Sequence, residues 1–304
     1  MLNGPMRTVG IIGQGFVGTA VREGLCHAFD VVTYDKKDGQ RVVTYGREST
    51  TVSLCGLPLD PIFLVLGKSD DIIFLCLPTP MLPDGSCDIS IVRAVVQQIQ
   101  MAACLLNSRP SIVIKSTIPP GTTDRLTEEN PGLDICFQPE FLTEANAAFD
   151  FRNQTRIICG GKPEAVDRVR QLYSIAYPTV PFIGLTAVEA ELVKYFTNCA
   201  LACRVSLANE FNQIAQALGV DYETVIGAVC LDSRMGSHWK VPGHLGQCGF
   251  GGSCFPKDLN ALISAARALG VAPTVMEASW AKNLEVRPER DWERLVGRAV
   301  TGEM

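Results

Sequence analysis

Residues 8–12, Thr-Val-Gly-Ile-Ile, form a mostly β-branched, uncharged run, and the pattern returns at 31–34, 72–77, 111–115, 135–137 and 156–159. Each run is nearly continuous in apolar residues, as expected of strands buried on both faces of a parallel sheet. Between them the apolar positions take helical spacing, over 16–28 and over 88–106 with Ile91, Val95 and Ile99. Strands alternating with helices predict an α/β domain, with helices covering both faces of the sheet, over residues 1–183. From about Thr186 the pattern changes. Residues 187–218 carry small and apolar side chains at helical spacing over a length that spans a domain or bridges two. Shorter helices are expected over 222–230, 257–269 and 273–283, and a loop with several glycines over 233–253. The charged tail resumes helical spacing at Trp292, Leu295 and Val296. Residues 184–304 are therefore expected to form an all-helical domain around a long central helix.

The first strand runs into Gly13-Gln14-Gly15-Phe16-Val17-Gly18. Glycine at 13 permits a tight turn, at 15 lets a pyrophosphate approach the backbone, and at 18 lets helix and strand pack. A lone G-x-G-x-x-G says little. Here a strand precedes it, a helix follows, and Asp35 ends the second strand, where a carboxylate accepts the adenosine ribose hydroxyls and repels a 2′-phosphate. A Rossmann-type domain binding NAD in preference to NADP is expected, with Gly13, Gly15, Phe16, Val17, Gly18 and Asp35 at the cofactor.

The second informative run is Gly249-Phe250-Gly251-Gly252-Ser253-Cys254-Phe255-Pro256-Lys257-Asp258. Glycines allow close approach to a ligand and positive φ. A helix opening near Pro256 places Cys254 at its amino end, where a thiolate is favoured. A nicotinamide binder with such a cysteine can oxidise an aldehyde through a thioester. Asp258, four residues on, can act in proton transfer, or can simply favour the helix dipole.

Composition narrows the partners. Of 304 residues 47% are apolar, enough for a large core, and the net charge of −5 without basic blocks argues against nucleic acid. Twelve cysteines and three histidines invite a metal reading, yet the cysteines are scattered, several inside apolar runs, with no C-x-x-C pair. Buried thiols in a reducing, cytoplasmic setting fit better than disulfides or zinc. No metal site and no membrane segment are expected. The few residues before the first strand do not read as a signal peptide.

With both motifs in view, the chain resembles the nucleotide-sugar dehydrogenases, the UDP-glucose and GDP-mannose 6-dehydrogenases. The resemblance runs through Pro78-Thr79-Pro80, Ser116-Thr117-Ile118-Pro119-Pro120-Gly121-Thr122, Pro139-Glu140-Phe141-Leu142-Thr143-Glu144, Glu191 to Asn198, Ala208-Asn209-Glu210, and the block from Asp232-Ser233-Arg234 to Asp258. It covers residues 8 to about 283. It implies two successive hydride transfers, alcohol to aldehyde and then, through a thiohemiacetal and thioester on Cys254, to the acid. It further implies that Lys194 and Asn198, one helical turn apart, stabilise oxyanion character; that Glu144 assists thioester hydrolysis and Glu140 orients; and that Thr117, with Pro78 and Thr79, lies at the cofactor. Arg234, Phe250, Gly251 and Gly252 are implied at the substrate, and a homodimer built on the long helices is implied as well. Family members usually carry a further α/β domain, for which this chain has no room before Met304; a partner chain in its place is one alternative.

Blander assignments stand beside these. Lys194 can pair on the surface with Glu191, three residues earlier, and His238 and His244 are loop histidines more often found at a surface than in catalysis. A two-electron or decarboxylating dehydrogenase of a smaller hydroxylated substrate, and a non-catalytic homologue, remain alternatives.

Overall fold

The computed structural model describes residues 8–38, 41–45, 50–53, 61–69, 72–243 and 246–302; the leader expectation before residue 8 and His244 lie outside them. The chain divides into two compact units, Met1–Pro78 with Ile89–Lys194, and Thr79–Asp88 with Tyr195–Met304. The break falls inside the long helix, beyond the 183/184 border expected from sequence.

Among the described residues the N-terminal unit is built on nine strands: β1 (Thr8–Ile12), β2 (Asp30–Tyr34), β3 (Arg41–Tyr45), β4 (Thr50–Ser53), β5 (Ile72–Leu75), β6 (Ser111–Ile114), β7 (Asp134–Phe137), β8 (Ile157–Gly161) and β9 (Phe182–Leu185). Their order is β4-β3-β2-β1-β5-β6-β7-β8-β9. The expected parallel sheet holds for β2, β1, β5, β6 and β7. It is corrected at the edges. β3 and β4 form an antiparallel hairpin against β2, and β8 runs against β7, with β9 parallel to β8. A parallel crossover needs a substantial covering element. The link from β7 to β8 carries a helix of only six residues, α5 (Ala147–Arg152).

Within the apolar strands, alternate residues go to opposite faces. Ile12, Ile73, Leu75, Ile112 and Ile114 pack on one side under α2 (Pro61–Lys68) and α3 (Ser90–Leu106). Val9, Ile11, Ile72, Phe74 and Val113 pack on the other, under α1 (Phe16–Leu25), α5 and α6 (Pro163–Ala176). Helix α1 ends at Leu25 instead of 28, its last turn closed by the Cys26 N–H on Arg22 O at 3.0 Å. The polar α4 (Thr122–Glu129) is capped at long range: Glu191 accepts from the Gly121 N–H at 2.6 Å and from the Thr123 N–H and hydroxyl at 2.8 and 2.6 Å. Those bonds satisfy donors that every helix start leaves open.

In the C-terminal unit the later part of α7 (Ala187–Leu218) packs with α8 (Tyr222–Val229), α9 (Phe255–Ala268) and α10 (Thr274–Val286). Tyr195, Cys199, Ala202, Phe250, Leu259, Ala261 and Ile263 form its main core. The expected helical tail is a single 3-10 turn, Asp291–Arg294, which buries Trp292 against Trp280 at a ring separation of 5.2 Å. Residues 79–88 belong here because Met81 accepts from the Thr301 N–H at 3.0 Å and donates to Ala299 O at 2.8 Å. Phe196, Leu207, Phe211, Ile214 and Leu218 of α7 are exposed.

Candidate active site

The glycine turn has the geometry its sequence requires. Gly13 adopts φ +92°, and a Cβ there would lie 2.3 Å from Cys76 O; at Gly18 it would lie 1.9 Å from Gly13 O. Gly15 has nothing within 4 Å, so the backbone beside the α1 amino end is open to a ligand. Asp35 shapes the same turn: Oδ2 accepts the Gln14 N–H at 2.6 Å and Oδ1 the Lys37 N–H at 2.8 Å. Gln14 Oε1 is buried without a donor. Gly15, Phe16 and Thr19 face Glu144 and Arg152 across a cavity of about 660 Å³. An open backbone, an orphaned acceptor and a carboxylate at the end of β2 together fit a dinucleotide. Val17 and Gly18 are turned inward and hold the α1 start against the sheet. Glu144 is exposed at the head of a short 3-10 turn and lines this cavity.

The same unit holds a buried cluster of charge. Lys194, 3% exposed, donates to Glu140 Oε1 at 2.7 Å and to Glu140 O at 2.6 Å. Glu140 Oε2 accepts the Leu142 N–H at 2.9 Å. Burial opposes the Glu140 charge, but Lys194, that N–H and Lys115 outweigh it and hold the carboxyl below its usual range. The surface pairing of Lys194 with Glu191 is thereby corrected: Lys194 is buried, and Glu191 caps α4. Lys115, which directly follows β6, is 4% exposed and lies 5.7 Å from the Phe151 ring centre. Burial draws its ammonium down to about 8, against the pull of Cys76, Glu140 and Cys159. Its signal was a charge closing the apolar strand Ser-Ile-Val-Ile. Lys115, Glu140 and Arg156 line a second cavity of about 360 Å³, where the Arg156 guanidinium sits 4.7 Å over Phe141. Thr117, just after β6, is buried, and the neighbouring Ser116 hydroxyl accepts the Leu77 N–H at 2.8 Å. Pro78 closes the first segment of this unit, and Thr79 opens the other.

In the C-terminal unit Cys254 is the N-cap of α9, with Pro256 in the first turn, so its half-buried thiol occupies the helix end expected for it. Asp258, 1% exposed, binds Asn198 Nδ2 through Oδ2 at 2.6 Å and Lys257 Nζ through Oδ1 at 2.5 Å. Burial works against the Lys257 charge, yet Asp258, Cys254 and Cys87 hold its ammonium above the usual range. Lys257 was missed by sequence analysis although it stands inside the most specific motif. The chemistry available here is a thiol at a helix amino end with a carboxylate–lysine–amide group one turn away.

The residues expected at a substrate divide. Phe250 is buried against Phe255 and Trp280 at ring separations of 6.2 and 6.1 Å, and Asn283 takes its N–H and C=O at 2.7 and 3.0 Å. It anchors the turn from within. Gly252, at φ +71° with nothing within 4 Å, is open. Arg234 is a surface residue, 87% exposed at its side chain, forked onto Asp232. His238 bonds Ser237 Oγ at 2.8 Å, and burial with Arg204 nearby lowers its pKa. His27 Nε2 contacts Ala176 O at 3.0 Å and is structural. Among the described residues no group of His, Cys, Asp or Glu is placed to hold a metal ion, and no helix is long and apolar enough to cross a membrane.

A glycine turn with an acidic strand end, followed in the chain by a buried lysine and a cysteine at a helix N-cap position, is the constellation expected of a nicotinamide-dinucleotide dehydrogenase. Residues 66–177 match the NAD-binding domain, and 188–285 the central domain, of the UDP-glucose/GDP-mannose dehydrogenase family. A UDP-glucose 6-dehydrogenase of Haloferax volcanii is 33% identical over 92% of this chain and 70% of its own length. One of Pseudomonas aeruginosa is 32% identical over 90% of this chain and 64% of its own. The solved UDP-glucose dehydrogenase of Pyrobaculum islandicum superposes with a TM-score of 0.79 at 29% identity, over 96% of this chain and 71% of that one. The chain belongs to the UDP-glucose/GDP-mannose dehydrogenase family and spans about two thirds of the length of these relatives.

Proposed function

We propose that the protein oxidises the C6 hydroxymethyl group of a nucleotide sugar, a UDP-hexose, to the uronic acid in two steps on one cysteine. The bound dinucleotide supplies the hydride acceptor, once per step. In the first oxidation the Asp258 group, held by Asn198 and Lys257, takes up the hydroxyl proton as the aldehyde forms, and Lys194 supplies a donor for the developing oxyanion. The Cys254 thiol then adds to the aldehyde carbon, forming a C–S bond and a thiohemiacetal whose carbon can lose a second hydride. Water displaces the resulting thioester, aided by Glu144 with Thr117 placing the water, and returns the thiol. Glu140 keeps Lys194 in place throughout.

The observation that carries this proposal is Cys254 at the head of α9, beside the Lys257–Asp258 pair. The names of the two relatives support the substrate class. UDP-glucose, UDP-N-acetylhexosamines and GDP-mannose, each assayed for NADH formed per sugar, test it. Two NADH per UDP-hexose are expected, and Cys254→Ser should stop release of acid. One NADH per substrate, or equal turnover of small hydroxy acids, would overturn the thioester route in favour of a two-electron dehydrogenase. The exposed apolar residues of α7 support a homodimer, in which a second copy of the chain covers Phe196, Phe211 and Leu218.

A further inference from the structure

The turn over 248–252 lies outside helix and sheet, yet its backbone is held nearly residue by residue. Arg287 Nη1 donates to Cys248 O at 3.1 Å, and the Gly249 N–H donates to Asn209 Oδ1 at 3.2 Å. Asn283 takes both backbone groups of Phe250, and the Gly252 N–H donates to Asp291 Oδ2 at 3.1 Å. Arg287, 3% exposed, donates through Nε to Asp291 Oδ1 at 2.6 Å, which closes the frame.

This frame explains two of the glycines. A Cβ on Gly249 would lie 2.5 Å from Asn283 Oδ1. One on Gly251 would lie 2.4 Å from Asp291 Oδ1 and 2.5 Å from Arg287 Nε. Those positions are glycine because the supporting side chains press against the turn. Gly252 alone faces open space. From Gly252 the chain runs directly through Ser253 to Cys254, so the turn sets the path by which the chain enters α9 at the thiol.

We propose that Arg287 and Asp291 form a positioning pair for Cys254, holding the turn in the register at which the thiol meets the aldehyde. The proposal rests on the two-step oxidation above and extends it: the pair governs the second oxidation, which needs the thiol, more than the first. Both contacts to the turn are charge-assisted, and such bonds fix geometry more firmly than neutral ones. Burial opposes the Asp291 charge, while Arg287 and the Gly252 N–H keep the carboxyl below its usual range, so the pair is ionised at neutral pH.

The test uses Asp291→Asn, Arg287→Met and the double variant. NADH per UDP-glucose is measured with a carbonyl trap present. In the same proteins without cofactor, the alkylation rate of Cys254 by iodoacetamide is read by peptide mass spectrometry. NADH per sugar should fall from two towards one, with trapped aldehyde accounting for the difference. Cys254 alkylation should slow by roughly tenfold or more, the lower bound expected from one lost charge-assisted hydrogen bond. The double variant should be no worse than the more affected single one. A loss of folded protein alone lowers total turnover but leaves the NADH ratio at two. Two NADH per sugar together with wild-type alkylation would overturn the proposal. If Asp291→Asn does not fold, Asp291→Glu, which keeps the charge and displaces the carboxylate, replaces it with the same expectations. Should the wild-type protein make no NADH, the proposed function fails, and the alkylation rates still decide the role of the pair.

Discussion

Lys115→Met removes a cation that folding takes almost wholly out of water. Burial draws its ammonium from 10.5 down to about 8; Cys76, Glu140 and Cys159 pull it back up, and Lys194 pushes it further down. Between those two values the unfolded chain keeps a proton that the folded chain has released, so stability rises with pH across the window. Below about pH 8 the folded protein bears the full penalty, about 3 kcal/mol at roughly 1.36 kcal/mol per unit. Methionine keeps the apolar stem beside Phe151 and drops the charge. Glu140 retains Lys194 and the Leu142 N–H, so its own pair survives the change. The variant is therefore expected to be more stable than wild type by up to about 3 kcal/mol at pH 7, with the gain vanishing by about pH 10.5. Cys76, raised by burial to about 12, loses its stabilising contribution as pH climbs past the unfolded thiol value of 9.0. Lys115 itself lowers the Cys76 value, so the two proteins compare most cleanly below pH 9, where the thiol is neutral in both the folded and the unfolded chain. Urea unfolding of both proteins at pH 7 to 10.5 measures the difference. A variant less stable at pH 7, or a difference that does not change with pH, would refute the assignment of a depressed lysine at this site.

Asp35→Ala should weaken NAD binding by roughly 1–3 kcal/mol, through lost ribose contacts and loss of the carboxylate that ties down the Gln14 N–H. Parallel titrations with NAD and NADP check this, and tighter NADP binding by wild type would count against it. Sedimentation equilibrium at micromolar concentration should give a dimer, and Phe196→Asp with Leu218→Asp should shift it to monomer; a monomeric wild type would remove the proposed interface.

The strands were legible where burial on both faces made them continuously apolar, as in Ile72 to Leu75. The glycine turn was legible because three backbone demands meet within six residues. Other elements were hidden for definite reasons. β9 is short, half-exposed and interrupted by Gly184, and α4 carries only Leu126 as an apolar residue, its start being capped by a glutamate far along the chain. At the site, Cys254 and Asp258 could be read because they lie one turn apart. The choice of Glu140 over Glu191 by Lys194 could not, since the nearer carboxylate is the more obvious partner in one dimension. Arg287 and Asp291 were hidden for another reason: they act on backbone groups, which leave no trace in side-chain chemistry.

The placement of residues 79–88 with the C-terminal unit has a consequence for how the protein is made. The chain passes between the two units three times, after Pro78, Asp88 and Lys194. Met81 is bridged to residues 299–301, and Cys87 is sensed by Lys257 and Asp258. A piece made early in synthesis thus waits for segments made much later before its bonds can close. No single cut separates the units, so a fragment beginning at Tyr195 would lack a wall of its own core. The second unit is closed only when both of its segments are present.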